Sequence, residues 1–432
     1  MALFSNRVTR VYLFILLVLA LPACADGASN TSNTSNTSNN SDERYYDLTY
    51  HVALHPETSS AKVRIEIANA QDLVWLDFNI DKKYHTNFTG NGELTVAEGN
   101  VKWVPPAKDA MLTYDVAINR ARKKESGGKQ YDAYISPQWA IFRGDDLIPS
   151  ARVRAKKGAK SKSVLVFDLP KNWSSVNSGW PKALDHSESD AYIIDNPSRR
   201  FDRPTGWFIA GDLGTRRVKL GETYLSVSAP KESEFRRMDI LTMLTFVWPQ
   251  VTNTFEVTPA KILIVGAGKP MWRGGLSSPN SLYLHEDRPL VSENGTSTIL
   301  HEIFHVVSGI SGDKDNDWVA EGLAEFYAIE WLYRAGGLTD TRRNIVLADL
   351  EKWSKNVTTL LGKNSTGEVT AKAVLYFEEL NNRLLKKSKG AVNLDAFVAE
   401  LFDNKKITVE TINTLCTNYE IECPAVTFKV KD

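Results

Sequence analysis

The chain has 432 residues, 42% of them hydrophobic and 10% aromatic, a globular composition with enough apolar material for two or three packed domains. Lysine plus arginine and aspartate plus glutamate stand at 52 each, so no global field draws the protein to nucleic acid or to an anionic surface. The basic runs at 121–129 and 152–162 carry Gly and Ser without interleaved aromatics, and they read as solvated loops.

At the amino end, Arg7 and Arg10 precede an apolar run at 11–23 that is short for a membrane span and of the length of a secretory h-region. Residues 1–23 are therefore a targeting segment. The run closes on Leu21, Pro22, Ala23 and Cys24, which resembles the lipobox of bacterial lipoproteins. That resemblance implies a lipid anchor on Cys24, and with it a place on a membrane of the bacterial cell envelope, at the periplasmic face or the outer membrane. A plain signal peptide cut after Ala23 is the alternative. Residues 24–42 repeat Ser, Asn and Thr with almost nothing to bury, which describes a flexible tether.

From 43 to 230 the pattern is one of strands: apolar and polar residues alternate in YDLTYHVAL (46–54) and again in later segments, broken by Gly, Pro, Asn and Asp. This half is expected to be an antiparallel β domain. Near residue 231 the period changes. Phe235, Met238, Leu241, Leu244 and Phe246 recur at helical intervals, and Pro249 is expected to end that helix. Two strands follow, at 261–268 and 280–287, and then helices at about 297–308, 317–335, 339–355, 369–388 and 394–402. The fold class is α+β, with a mainly helical part at 231–432. Cys416 and Cys423 lie close together in a chain bound for an oxidising compartment, so a short disulfide loop is expected, with two free buried thiols as the alternative.

The chemistry sits in HEIFH (301–305). Thr296 or Ser297 can cap this helix and Gly309 can end it. Helical pitch stacks His301 and His305 on one face, the reach two ligands need to share a zinc ion. Glu302 points about a quarter-turn away, where it can take a proton from water without ligating the metal. The next helix begins at Asp317, a natural cap, and carries Glu321 in its first turn as a candidate third ligand. Glu325, one turn on, either orients a ligating histidine or is a solvent-facing acid. Trp318 is expected to anchor the core, and His285 to be structural. Asp313, Asp315 and Asp317 alternate as in a calcium loop but lack its glycine and terminal glutamate, so they read as a polar loop and a helix cap.

HEIFH followed by WVAEGLAEFYA (318–328) resembles the gluzincin metallopeptidases, and among them the glycyl-aminopeptidase (M61-like) and M1 aminopeptidase branch. RGGLSSPNSLYL (273–284), LYRAGGLTD (332–340) and the segment 380–401 are similar to stretches of M61-like enzymes. The resemblance implies a thermolysin-like catalytic domain behind the β domain, one zinc on His301, His305 and Glu321, Glu302 as general base on zinc-bound water, and a peptide or protein substrate. The chain departs from the family in three respects: an interval between His305 and Glu321 shorter than the family's, and two changes at site positions. Gly275-Leu276-Ser277-Ser278 replaces a Gly-Leu-Glu-His stretch whose Glu is expected to anchor a substrate amine, and Thr370 stands where the family has a transition-state tyrosine. Tyr376 and Tyr327 are the candidates to replace that oxyanion donor. A catalytically impaired, zinc-containing scaffold or binding lipoprotein is the rival reading.

Overall fold

The computed structural model describes residues 44–122, 128–184, 190–196, 200–402 and 406–428. The targeting segment, Cys24 and the tether lie outside them. Arg44–His55 and Ser60–Ala68 show why the amino-terminal half folds as sheets. In both strands every second residue is buried, including Tyr46, Leu48, Tyr50, Val63 and Ile65. They form the middle of a six-stranded sheet ordered Ala191–Ile194, Ala159–Asp168, Arg44–His55, Ser60–Ala68, Ala110–Ala117 and His85–Gly90. One pair in it is parallel, Arg44–His55 with Ala159–Asp168, and the others are antiparallel. A four-stranded sheet adds Leu76, Phe78, Val101 and Trp103 to the same apolar core.

A five-stranded sheet containing Trp139–Arg143 and Trp207–Gly211 stands at the junction with the carboxy-terminal half. Ile141, Trp207 and Ile209 from this sheet pack with Leu263, Val265 and Tyr283 of the next and with Met271 from a connecting segment, forming a small core of their own. A single helical turn, α1 (Gly144–Leu147), follows the first of these strands.

The last sheet is mixed and runs Leu213–Leu220, Thr223–Pro230, Lys261–Ala267, Ser281–His285, Gly275–Ser278. It draws two strands from before residue 231 and three from after it. Against it lies α2 (Arg237–Thr254), which continues through Pro249. The expectation that this proline ends the helix is corrected here. Leu244, Val247, Trp248 and Val251 on either side are buried, and that burial outweighs the backbone hydrogen bond a proline cannot make. Then come α3 (Thr298–Ser308), α4 (Asp317–Arg334), α5 (Asp340–Trp353), α6 (Glu368–Ser388), α7 (Leu394–Leu401) and α8 (Val409–Asn418). The last was not expected from the sequence. Cys416 on α8 is disulfide-bonded to Cys423. Among the described residues no helix is long and apolar enough to cross a membrane.

Candidate metal centre and its cleft

The start of α3 is fixed by Ser297, whose hydroxyl accepts the Leu300 N–H, and its end by Gly309, which takes the left-handed conformation at φ 60°. Ile299, Leu300, Ile303 and Phe304 are buried on the sides facing the sheet and α4. His301 and His305 are left on the remaining face. Asn316, not Asp317, stands at the N-cap position of α4 and makes no side-chain capping bond there, while the Asp317 carboxylate, within the first turn, accepts the Ser365 N–H at 2.7 Å. Trp318 is fully buried, and Gly322 lets α4 close on α6: a Cβ there would lie 2.5 Å from the Ala373 Cβ. This close packing sets Glu321 opposite the two histidines.

The three groups converge. The Nε2 atoms of His301 and His305 are 3.2 Å apart. Glu321 offers Oε2 to His301 Nε2 at 3.3 Å and Oε1 to His305 Nε2 at 3.4 Å. Glu325 Oε2 accepts from His301 Nδ1 at 2.9 Å, which fixes the ring and leaves Nε2 for the cluster. One ligand atom from each of His301, His305 and Glu321 lies within 4.8 Å of the others, and two imidazoles with a carboxylate are a donor set that suits zinc.

Electrostatics support the same arrangement. Burial works against a charged His301, but the Glu321 and Glu325 carboxylates overcome it and raise its pKa to about 10. His305 moves down to about 4, through burial and the neighbouring His301 charge. Without a metal the pair therefore shares one proton, held on His301. Burial acts to raise Glu321, yet its hydrogen bond to His301 and the charge of the two rings hold it below the usual carboxylate range. Glu302 is 7% exposed and burial pushes its pKa up, an effect opposed by the His301 charge and by hydrogen bonds from the Ser277 hydroxyl and N–H.

Ser277 belongs to the Gly275–Ser278 strand, which comes close enough to α3 that a Cβ on Gly275 would sit 3.0 Å from Glu302 Cγ. The strand forms one wall of a cleft of about 540 Å³ that also reaches His305, Asp317 and Glu321. The two tyrosines expected as oxyanion donors are placed elsewhere. Tyr327 is fully buried, stacks on Phe304 at 5.3 Å and donates its hydroxyl to Asp395 Oδ1 at 2.9 Å. Tyr376 packs edge-on against Trp318 at 4.9 Å, and neither tyrosine lines the cleft. Thr370 pairs with the Ser365 hydroxyl at 3.2 Å. His285 is buried, with Nδ1 accepting the Asp287 N–H, and Asp313 pairs with Lys406. Sequence reasoning missed Ser277 as the partner of Glu302. It also missed Arg143, which reaches Ser278 Oγ at 3.1 Å from the amino-terminal half. Neither has a local signal, since both contacts depend on strand packing between distant segments.

No family model matches the chain, and no curated protein matches its sequence. Solved structures share its fold. A protein of the aminopeptidase N family from Idiomarina loihiensis superposes with a TM-score of 0.64 at 15% identity, over 86% of this chain and 73% of its own. An M1 zinc metallopeptidase from Deinococcus radiodurans gives 0.55 at 13% identity, over 90% and 96%. A mutant of that enzyme bound to a Tyr-Ser-Ala substrate gives 0.54 at 13% identity, over 88% and 90%. At such identities the likeness is one of fold: a β-rich amino-terminal domain ahead of a helical part, as in M1 aminopeptidases.

Proposed function

We propose that this protein is a zinc metallopeptidase that hydrolyses peptide bonds, with the metal on His301, His305 and Glu321 and with Glu302 as general base. The observation that carries the proposal is the convergence of two imidazole Nε2 atoms and the Glu321 carboxylate within 4.8 Å, beside a buried carboxylate and an open cleft. A zinc ion in that position supplies Lewis acidity for water and for a carbonyl oxygen. The chain's own groups do the rest. Glu325 holds His301 in the tautomer that presents Nε2, and Ser277, itself in the cleft wall, donates to the Glu302 carboxylate. Glu302 takes a proton from water as the water oxygen bonds to the scissile carbon, then returns it to the departing amide nitrogen when the C–N bond breaks. Burial raises the Glu302 pKa, and a raised pKa makes a carboxylate a stronger proton acceptor.

The finer parts of the proposal rest on sequence: a thermolysin-like catalytic half, M61-like kinship, and anchoring through Cys24 to the bacterial envelope. The inward placement of Tyr327 and Tyr376 favours one rival, an impaired zinc-containing scaffold lipoprotein. One experiment separates the two. A peptide library is incubated with the unaltered chain and with Glu302→Gln, and zinc is quantified in both. The peptidase reading expects cleavage to fall by roughly 10²–10⁴-fold in the variant with zinc retained. Zinc without cleavage in either protein would leave the scaffold.

A further inference from the structure

Among the described residues, the cleft beside the metal centre is lined by three ionisable side chains, His305, Glu321 and Asp317. The first two belong to the cluster, and Asp317, at the start of α4, does not. Its Oδ2 accepts the Ser365 N–H at 2.7 Å, and its other oxygen takes no partner among the described residues. One accepted N–H leaves the carboxylate its charge. The amino end of α4 favours an acid at this position but presents no cation to it. Lys314 and Lys363, on the loops that precede α4 and Ser365, are exposed, and neither pairs with Asp317. The strand wall of the cleft is uncharged, running Ser277, Ser278, Pro279, Asn280. Arg143 stands behind Ser278, outside the cleft lining, and faces the carboxylates of Asp145 and Asp146. A zinc ion would be matched in its own cluster by the Glu321 and Glu325 carboxylates, which leaves Asp317 for the substrate. A charged group in a partly buried wall is stabilised by an opposite charge that docks on it.

We propose that Asp317 is a specificity-determining residue: it receives the ammonium of a lysine or the guanidinium of an arginine next to the scissile bond, so that the cleft prefers basic peptides. This rests on the peptidase reading above. Distance favours a side chain over a free amino end as the source of the charge. Asp317 stands one turn before Glu321 on the same face of α4, about 6 Å along the helix axis. A lysine or arginine carries its charge on a long stem that spans such a gap. An α-ammonium is held close to its own carbonyl carbon, and in a peptide cut at its first bond that carbon lies at the metal centre.

The test uses the full zinc-loaded chain and one peptide in three forms: a central lysine with an acetylated amino end, norleucine in its place with the same end, and norleucine with a free amino end. Binding to Glu302→Gln is measured by calorimetry, and the bonds cut by the unaltered chain are mapped by mass spectrometry. The lysine form is expected to bind roughly tenfold tighter than acetylated norleucine, with cuts beside the lysine. Adding Asp317→Asn to Glu302→Gln keeps an acceptor for the Ser365 N–H and is expected to bring the two affinities together with zinc retained. Asp317→Ser, a second neutral variant, is made alongside and is expected to do the same. Equal affinities in Glu302→Gln overturn the proposal, as does a lysine advantage that survives both neutral variants. A gain that follows the free amino end and not the lysine also overturns it. A lysine advantage in binding without cutting by the unaltered chain would defeat the peptidase reading and leave Asp317 as the receiver of the cation.

Discussion

Two imidazole nitrogens 3.2 Å apart that share one proton cannot keep it when a metal ion enters between them. Because His301 holds that proton up to about pH 10, zinc affinity is expected to rise about tenfold per pH unit through neutrality. Calorimetric titrations in two buffers of different ionisation enthalpy should show about one proton released per zinc bound near neutral pH. The sign for the metal-free fold follows from the raised value. Protonated His301 stabilises it fully below the ordinary 6.5, and that contribution is lost as pH rises through about 10. His301, Glu302 and His305 were legible because helical spacing alone puts the two rings on one face and the carboxylate beside them. The tyrosines were not. A tyrosine on a helix gives no sign of which way its hydroxyl will turn, and that of Tyr327 is taken by Asp395, on a different helix.

The site depends on how closely α4 can lie against its neighbours. Gly322 is the contact that permits this, with no room for a Cβ beside Ala373. Gly322→Val is expected to force α4 away from α6 and to cost about 1–3 kcal/mol, read as a lower urea midpoint. Since Glu321 adjoins the glycine, zinc affinity should fall with stability. A midpoint and affinity equal to those of the unaltered chain would show that the helices do not meet as described. Helix positions were largely legible, because long amphipathic segments such as α6 carry a strong period and caps such as Ser297 mark their starts. The sequence misled at Pro249. A rule about local hydrogen bonding lost there to burial of Val247, Trp248 and Val251, a tertiary effect.

The two halves meet where the cleft strand is supported. Trp207, from the amino-terminal half, is fully buried in the small shared core and donates its indole N–H to the Leu276 carbonyl at 2.9 Å. Trp207→Phe keeps an aromatic ring but leaves that carbonyl without its partner. It is expected to cost about 1–3 kcal/mol in denaturant unfolding. A fall in kcat/KM should accompany it, since Leu276 adjoins Ser277. Loss of stability with unchanged kinetics would show that the junction does not support the cleft. The β-then-helix order was legible from the change of period, but how the sheets pair was not, because strand register between distant segments leaves no local trace.

The sheet bearing the cleft wall begins upstream of the point where the sequence turns helical. A gene-level exchange that joined a foreign amino-terminal part at residue 231 would remove Leu213–Leu220 and Thr223–Pro230 and leave Lys261–Ala267, an almost wholly buried strand, as a bare apolar edge. Such chimaeras would aggregate, whereas a crossover placed ahead of Leu213 would carry the whole sheet along. In this protein the heritable unit behind the cleft is larger than the cleft itself, because it has to include the strands that keep the cleft's sheet from becoming sticky.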